Sequence, residues 1–382
     1  MDLYSEKKEC CGCGACADVC PVRAIAMTPD GEGFCYPEAD PDKCLNCGRC
    51  EQVCPIKKFS EAGPFPGSGD LASARHYYGV QARDRQIRYA SSSGGIFPIL
   101  AEYVLRHQGI VCGAAYDEEM RVVHREARSM EELDKIKKTK YVQSTLDGMY
   151  RSVEGQLKEG RRVLFCGTPC QTHALKLFLN RPYPNLLLAD LICYGVPSPG
   201  IWHSYVRYLE RKHKGKMTDF SFRDKRKKDN GHCRAYTVAG AEYTDPLDRD
   251  IYCRMYFGNY MLRPSCHTCR YCTTDRESDF TIGDFWGIGK VRPDMDDGFG
   301  TSVVILHTKK AEAVWGEIKD ELSWFACKRE EILQPRLQTP TARAKRRGLY
   351  MAAYRILPFS VFLSLFGGLA SCMEYAGRFR RK

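Results

Sequence analysis

The sequence predicts an α/β (α+β) domain preceded by a small, internally duplicated domain rich in cysteine. Residues 10–21 and 44–55 repeat one arrangement of cysteines, which indicates a duplicated unit at the N-terminus. Between residues 76 and 341, short apolar segments alternate with longer helical ones, as in α/β or α+β domains. The 382 residues, 43% hydrophobic and 27% charged, are enough for two or three compact units and differ from the composition of a disordered chain.

These patterns divide the chain into four parts. We expect the duplicated domain at residues 1–58, a linker at 59–75, a large catalytic domain at 76–347 and a C-terminal helical tail at 348–382. The linker contains a stretch rich in Gly, Pro and Ser. Strands of the large domain are predicted at residues 77–80, 110–114, 162–166, 186–192, 280–282 and 302–306, and helices at 96–106, 146–158, 170–179 and 201–212.

Cysteine is the most informative residue type in this sequence. The chain has 21 cysteines, more than buried packing requires, and its first nine residues are polar, unlike a secretory signal peptide. Because thiols stay reduced inside cells, we expect a cytoplasmic protein whose cysteines bind metal.

Two runs near the N-terminus have the C-x2-C-x2-C-x3-C-P spacing of bacterial ferredoxins. In this arrangement three closely spaced thiolates bind one 4Fe-4S cluster, and the fourth cysteine of each run binds the other cluster. The alternative is zinc bound by separate C-x2-C pairs, which requires neither the third cysteine nor the proline. We therefore predict a bacterial-type 2x(4Fe-4S) ferredoxin domain, with Cys11 and Cys35 as spare thiols. The two ligand sets are Cys10, Cys13, Cys16 and Cys54, and Cys44, Cys47, Cys50 and Cys20.

A third group of cysteines, Cys266, Cys269 and Cys272, repeats the C-x2-C-x2-C spacing without a following Cys-Pro. A further ligand must therefore come from another part of the chain. Cys193 ends a predicted strand and Cys170 begins a helix directly after another strand, so both can face one edge of a sheet. Local spacing favours Cys193 together with the three clustered cysteines, and zinc is the alternative occupant.

Two segments have the pattern of ligand-binding turns at the start of a helix. Residues 91–95 (SSSGG) precede an apolar helix, where hydroxyl and amide groups suit a pyrophosphate, although an ordinary serine N-cap has the same pattern. Gly167 and Thr168 follow a strand and open a helix that has Pro169 in its first turn. Asp284 follows another strand and is either a ligand contact or a turn residue.

Charge and hydropathy limit the expected partners. The formal net charge is +11, but metal-bound thiolates would lower it, and no nucleic-acid-binding motif accompanies it, so nucleic acid is not expected. We interpret the basic runs at residues 223–228 and 343–347 and the basic tail at 378–382 as solvated surfaces, with contact to an anionic substrate or a membrane surface as the alternatives. Residues 356–373 are uncharged, which favours a buried helix or an interfacial amphipathic helix over a spanning one, and the basic residues that follow suit a peripheral contact at the inner face of a membrane.

Several strings in the large domain resemble the family of coenzyme F420 hydrogenase/dehydrogenase beta subunits, in the bacterial-type form with an N-terminal fused 2x(4Fe-4S) ferredoxin domain. They occur in the family's order within residues 76–310. The strings are SSSGGIFPIL (91–100), KYVQS (140–144), FCGTPCQTHAL (165–175), LICYGVPSP (191–199), LRPSCHTC (262–269) and SDFTIGDFWGI (278–288).

The resemblance implies a flavoprotein that holds FAD beside a third 4Fe-4S cluster. It implies that the third cluster is bound by Cys170, Cys193, Cys266 and Cys269, with Cys272 as an extra thiol. The FAD contacts expected from the resemblance and from the two turns are Ser92, Ser93, Gly94, Gly95, Lys140, Tyr141, Gln143, Ser144, Gly167, Thr168 and Asp284.

The function expected from this combination is that of an iron-sulfur flavoprotein oxidoreductase. It would couple one-electron transfer through three 4Fe-4S clusters to two-electron chemistry at FAD, in a ferredoxin-linked reduction of an unidentified substrate. The partner would be ferredoxin or another redox carrier. The substrate would be a small molecule, a deazaflavin or a sugar-type compound, because similar fused relatives are associated with polysaccharide biosynthesis. The alternatives are an electron-transfer module that feeds a partner enzyme without a substrate of its own, and a metal-dependent scaffold without flavin. The sequence identifies no catalytic residue.

Overall fold

The chain folds into a small N-terminal domain that packs against a larger mixed α/β domain. The computed structural model describes residues 3–62, 75–226 and 233–369. Residues 63–74 of the predicted linker and residues 370–382 of the predicted tail lie outside the described residues.

The strands and helices are numbered in chain order. The strands are β1 (Ile25–Pro29), β2 (Cys35–Ala39), β3 (His76–Ala82), β4 (Ile110–Tyr116), β5 (Val122–Ala127), β6 (Val163–Gly167), β7 (Leu186–Leu191), β8 (Met217–Asp224), β9 (Cys233–Val238), β10 (Ala241–Pro246), β11 (Phe280–Asp284), β12 (Ser302–Leu306) and β13 (Leu322–Cys327). The α-helices are α1 (Ala15–Val19), α2 (Arg49–Gln52), α3 (Pro55–Ala62), α4 (Arg85–Tyr89), α5 (Ile96–Arg106), α6 (Met130–Ile136), α7 (Met149–Lys158), α8 (Pro169–Leu179), α9 (Pro199–His213), α10 (Ile251–Phe257), α11 (Ile288–Val291), α12 (Lys309–Ile318), α13 (Arg329–Ile332), α14 (Arg347–Ile356) and α15 (Phe359–Leu369).

The large domain is built on an eight-stranded sheet with the order β13-β3-β12-β11-β7-β6-β4-β5. Strands β4, β6, β7 and β11 are parallel, and β3 shares their direction because the antiparallel strand β12 separates it from β11. The carboxyl ends of these five strands therefore meet at one edge of the sheet. Open α/β sheets bind their ligands at this edge.

The mixed α/β fold predicted from the sequence is confirmed. Strand β12 and helix α5 have the predicted bounds, and the other predicted elements of the large domain differ only by a few residues at their ends. The sequence does not predict β5, β13 or the three-stranded antiparallel sheet β10-β9-β8. Strands such as β10 and β13 are half-exposed and mix polar with apolar residues, so their sequences resemble loops.

The N-terminal domain shares hydrophobic cores with the large domain. Phe34 and Tyr36 belong to the core formed by α9, α10 and the three-stranded sheet, in which Trp202 is fully buried. On another face, Ala15 and Val53 pack into the core beside α7 and α8. The domain is thus buried against its neighbour on two faces.

The C-terminal apolar segment is divided between two helices. The chain leaves the helical conformation after α14 at Leu357, and α15 begins at Phe359 directly after Pro358. Tyr350 of α14 and Phe362 of α15 are buried against the large domain, in a T-shaped contact at 4.8 Å between ring centroids. Within the described ranges, every helix is too short or too polar to cross a bilayer.

Candidate iron-sulfur and flavin site

Two cavities in the N-terminal domain are each lined by four predicted ligand cysteines. We call the first the inner cavity; its predicted ligands are Cys10, Cys13, Cys16 and Cys54, and Cys11 and Cys50 also line it. We call the second the outer cavity; its predicted ligands are Cys20, Cys44, Cys47 and Cys50. The structure thus brings together the two sets expected from the crossed ferredoxin pattern. The presence of one complete set of four predicted ligands at each cavity fits the ligand requirement of 4Fe-4S clusters.

Local backbone geometry explains how each cysteine run surrounds its cavity. Gly14 and Gly48 both adopt the left-handed conformation, with φ of 79° and 70°, and each is the residue before a short helix. At each glycine the chain turns into the helix that carries the next cysteine of the run, Cys16 in α1 and Cys50 in α2. The two cavities differ in exposure, because Cys47 of the outer cavity is exposed whereas Cys13 of the inner cavity is buried.

The third group of thiols lies at the carboxyl ends of β6 and β7. The pKa of Cys193 is raised to about 12, first by burial and then by the neighbouring thiols of Cys170 and Cys269. Burial and the neighbours Cys193, Cys269 and Cys170 likewise raise the pKa of Cys266. Cys272 forms a hydrogen bond with Cys269. In the described residues, no three Cys, His, Asp or Glu side chains are arranged to hold a single metal ion. The ligand set of a third cluster therefore stays a prediction.

Cys11, a predicted spare thiol outside the ferredoxin pattern, lies between two predicted cluster ligands. Its buried thiol forms hydrogen bonds with Cys13, which lines the inner cavity, and with Cys170 of the third group. The pKa of the Cys170 thiol is raised, chiefly by this contact with Cys11 and then by burial. Cys11 thus connects a predicted ligand of the N-terminal domain to one of the large domain.

Two polar residues of the large domain hold the loop that carries Cys10 and Cys11. Arg263 donates from Nε to the carbonyl oxygen of Cys10 at 2.7 Å. Gln143 donates from Nε2 to the carbonyl oxygen of Cys11 at 2.9 Å, and its Oε1 accepts from Arg263 Nη1 at 3.0 Å. Gln143, expected to contact FAD, therefore lies at the contact between the two domains.

Gly12→Ala is expected to weaken this contact, whereas the matched change Gly14→Ala tests backbone strain alone. Both glycines have positive φ, 68° and 79°. A Cβ at Gly12 would lie 2.6 Å from Arg263 Cζ and 2.7 Å from Gln143 Nε2, but one at Gly14 has nothing within 4 Å. We expect Gly12→Ala to cost about 1–3 kcal/mol more in the free energy of unfolding, measured by anaerobic chemical denaturation. Equal losses in the two variants would contradict this expectation.

The predicted phosphate-binding turn lies between β3 and α5, at the same edge of the sheet as the third thiol group. Gly95 is the N-cap of α5 in the left-handed conformation, and no side chain caps the helix. Ser92 Oγ accepts from the Thr139 amide at 2.8 Å, and Ser93 Oγ donates to the Thr301 carbonyl at 3.1 Å. An uncapped helix N-terminus has free amide groups, which suit an anionic ligand.

Buried cations lie beside this turn. Lys225 donates from Nζ to the carbonyl oxygens of Ser93 and Arg88, both at 2.7 Å. Burial and the nearby guanidinium groups of Arg223 and Arg88 lower the pKa of Lys225 to about 7. The interpretation of the run at 223–228 as a solvated surface is therefore wrong for Arg223 and Lys225, which are buried because β8 lies against the large sheet's ligand edge. It is also wrong for Arg347 of the run at 343–347, which is buried and forms an ion pair with Glu32. Residues 227, 228 and 378–382 lie outside the described residues.

Two further expected FAD contacts, Lys140 and Asp284, also have partners within the protein. Lys140 donates from Nζ to the carbonyl oxygens of residues 135, 136 and 137, at 2.8–3.0 Å, and so caps the C-terminal end of α6. Burial lowers its pKa to about 7. Asp284 forms an ion pair with Arg223. Neither arrangement tests whether these groups contact a flavin.

The remaining expected contacts lie around the same edge. The Tyr141 ring stacks on Tyr256 with 4.8 Å between centroids. Gln171 of α8 donates to Ser144 Oγ at 3.1 Å. Gly167 ends β6, and Thr168 Oγ1 lies 3.2 Å from the Cys170 sulfur, which places this turn at the third thiol group. Arg263, Lys225 and Arg223 are the site residues that the sequence does not predict.

Both parts of the chain are similar to known proteins. Residues 160–326 match the model of a family described as the C terminus of the coenzyme F420 hydrogenase/dehydrogenase beta subunit, and residues 9–58 match that of the 4Fe-4S dicluster domain. The F subunit of the F(420)H(2) dehydrogenase of Methanosarcina mazei is 23% identical over 332 residues, covering 82% of this chain and 83% of that protein. A chain of the F420-reducing NiFe hydrogenase complex from Methanosarcina barkeri, solved in a xenon derivatization study, is similar at 19% identity with a TM-score of 0.44, covering 76% of this chain and 91% of that chain. The chain is thus an iron-sulfur electron-transfer protein in which a 4Fe-4S dicluster domain, residues 9–58, precedes a region, residues 160–326, that matches the family of coenzyme F420 hydrogenase/dehydrogenase beta subunits.

Proposed function

We propose that this protein is an iron-sulfur flavoprotein oxidoreductase in which electrons pass from the N-terminal domain to a flavin at the sheet edge of the large domain. The observation that carries the proposal is the contact of Cys11 with both Cys13 and Cys170. It joins the inner cavity to the third thiol group through adjacent sulfur atoms. When bound, 4Fe-4S clusters supply one-electron transfer, and FAD couples it to two-electron chemistry.

The exposure of the thiols supports an order for the relay. Cys47 and Leu45 beside the outer cavity are exposed, so this end can meet an external one-electron carrier such as ferredoxin. The inner cavity is the one that Cys11 connects to the large domain. The proposed order is therefore external carrier, outer cavity, inner cavity, third thiol group and flavin.

The residues around the 91–95 turn support the flavin part of the proposal. The uncapped N-terminus of α5 and the buried cations Lys225 and Arg88 fit a pyrophosphate, and Tyr141 can pack against a ring system. An anion bound there would favour the charged form of Lys225, whose pKa is lowered by burial and by the guanidinium groups of Arg223 and Arg88. The substrate class that we propose is a small molecule, a deazaflavin or a sugar-type compound, reduced at the expense of ferredoxin.

Anaerobic purification of the full chain, with iron, sulfide and flavin quantified, tests this function. We expect about twelve irons and about one FAD per chain. Oxidised flavin absorbs at about 450 nm, and we expect reduced ferredoxin to bleach this absorbance only when the clusters are present. Zinc in place of sulfide-bearing clusters would contradict the iron-sulfur part, and clusters without flavin would contradict the catalytic part.

A second candidate is an electron-transfer module that feeds a partner enzyme. It is favoured by the name of the Methanosarcina mazei relative, which is one subunit of a dehydrogenase. Co-purification of a second protein, with no turnover by the isolated chain, would favour this candidate over an enzyme with its own substrate.

Cys11→Ala is expected to slow internal electron transfer severalfold without removing iron. Loss of its sulfur removes the hydrogen bonds through which Cys11 links Cys13 to Cys170, whereas Cys11→Ser keeps a hydrogen-bond donor there. Freeze-quench EPR after rapid reduction measures how fast each cluster signal appears. Cys35→Ala, which changes another cysteine outside the pattern, is the control. Unchanged rates in Cys11→Ala would remove Cys11 from the relay.

A further inference from the structure

Arg263 differs from the other buried arginines of the described residues. The side chains of Arg88, Arg223, Arg234, Arg276 and Arg347 each form an ion pair with a carboxylate. Arg263 is fully buried, and its hydrogen-bond acceptors in the described structure are three neutral oxygens and one sulfur.

The acceptors of Arg263 surround a predicted ligand of the inner cavity. Its Nε and Nη2 donate to the carbonyl oxygens of Cys10 and Cys35, at 2.7 and 3.0 Å. Nη2 also lies 3.5 Å from the Cys10 sulfur, which is the acceptor that can carry negative charge. The guanidinium packs 4.2 Å from the ring centroid of Tyr36, so aromatic side chains rather than water surround it.

A buried charge without a counter-charge is unfavourable, and a protein interior screens it weakly. The negative charge that compensates Arg263 is therefore expected to come from the Cys10 thiolate and whatever it binds. Reduction of a 4Fe-4S cluster adds one electron and no atoms, so a fixed positive charge beside a ligand sulfur favours the reduced form.

We propose that Arg263 raises the reduction potential of the cluster held by Cys10, Cys13, Cys16 and Cys54 above that of the cluster in the outer cavity. This inference rests on the iron-sulfur part of the proposed function. The consequence is directional, because electrons that enter at the outer cavity would be drawn to the inner one, next to the third thiol group. Arg263 would act on the cluster indirectly, because its positive charge lies beside the Cys10 sulfur.

EPR-monitored redox titration of the full chain tests the proposal, with the outer cluster as an internal control. Arg263→Gln is expected to shift the reduction equilibrium of the inner cluster at least tenfold toward the oxidised form, a fall of about 59 mV for one electron. Arg263→Lys keeps the charge and should shift it less. The potential of the outer cluster should stay unchanged in both variants.

The outcomes separate this proposal from the proposed function. An unchanged inner potential in Arg263→Gln with both clusters present, or an equal shift of both clusters, would overturn the role of Arg263 only. Absence of the inner cluster from the wild-type protein would overturn the proposed function itself. If Arg263→Gln does not assemble the inner cluster, the potential of that cluster is measured in Gln143→Glu instead. This change keeps Arg263 and places a carboxylate beside its Nη1 atom. A fall in the inner potential supports the proposal, and no change overturns it.

Discussion

Cys170→Ala is expected to lower the iron content from about twelve to about eight per chain, whereas Cys272→Ala should leave it near twelve. Both residues are candidates for the fourth ligand beside Cys193, Cys266 and Cys269. The Cys170 thiol neighbours those of both Cys193 and Cys266, whereas Cys272 forms a hydrogen bond with Cys269 and has Cys193 as a weaker neighbour. Iron and sulfide analysis of anaerobically purified variants, combined with EPR, measures the difference.

The neighbouring thiol of Cys11 requires a second variant in this experiment. Because Cys11 lies beside Cys170, it can replace the missing ligand, and the double change Cys11→Ala with Cys170→Ala excludes that rescue. Cys112→Ala is the control, since Cys112 is fully buried in β4 and belongs to none of the three thiol groups. Loss of iron in Cys272→Ala, with full retention in the double variant, would assign the site to Cys193, Cys266, Cys269 and Cys272.

The grouping of the N-terminal cysteines around two cavities follows from local sequence. Each run of cysteines is short, and its spacing fixes how the chain turns, as the left-handed Gly14 and Gly48 show. Strands such as β6 and β7 are continuous apolar segments, which makes a buried parallel sheet predictable. The position of Cys193 at the end of β7 follows from the same pattern.

The contact between the two domains could not be predicted from local sequence. Arg263 and Cys10 are separated by 253 residues, and Gln143 and Cys11 by 132, so only the folded arrangement brings them together. The position of Cys11 has no signal in the ferredoxin pattern, because its contact with Cys170 joins it to the other domain. The burial of Lys225 could not be predicted for a different reason. A run of basic residues is usually solvated, whereas Lys225 directly follows β8 and is buried.

Gly94→Ala is expected to abolish FAD binding, reducing the flavin content from about one per chain to near zero, and to leave the iron content unchanged. A Cβ at Gly94 would lie 2.3 Å from the Val80 carbonyl oxygen and 2.6 Å from the Ser302 amide nitrogen. Both atoms belong to the backbone of the large sheet, so the turn itself must move. That displacement would separate the α5 N-terminus from Lys225, which is bonded to the Ser93 carbonyl. Flavin absorbance and iron analysis of the same sample measure the two effects.

Gly316→Ala is the matched control, because Gly316 lies in α12 and a Cβ there has nothing within 4 Å. Alanine is favoured over glycine inside a helix by roughly 1 kcal/mol, so this variant should be at least as stable as the wild type and keep its flavin. Lys225→Met tests the same site without a steric change, since it removes the buried cation and keeps the length of the side chain. Full flavin in both Gly94→Ala and Lys225→Met would place the flavin away from the 91–95 turn. Loss of flavin in both, with iron retained, would establish that the turn and its buried cation bind the cofactor together.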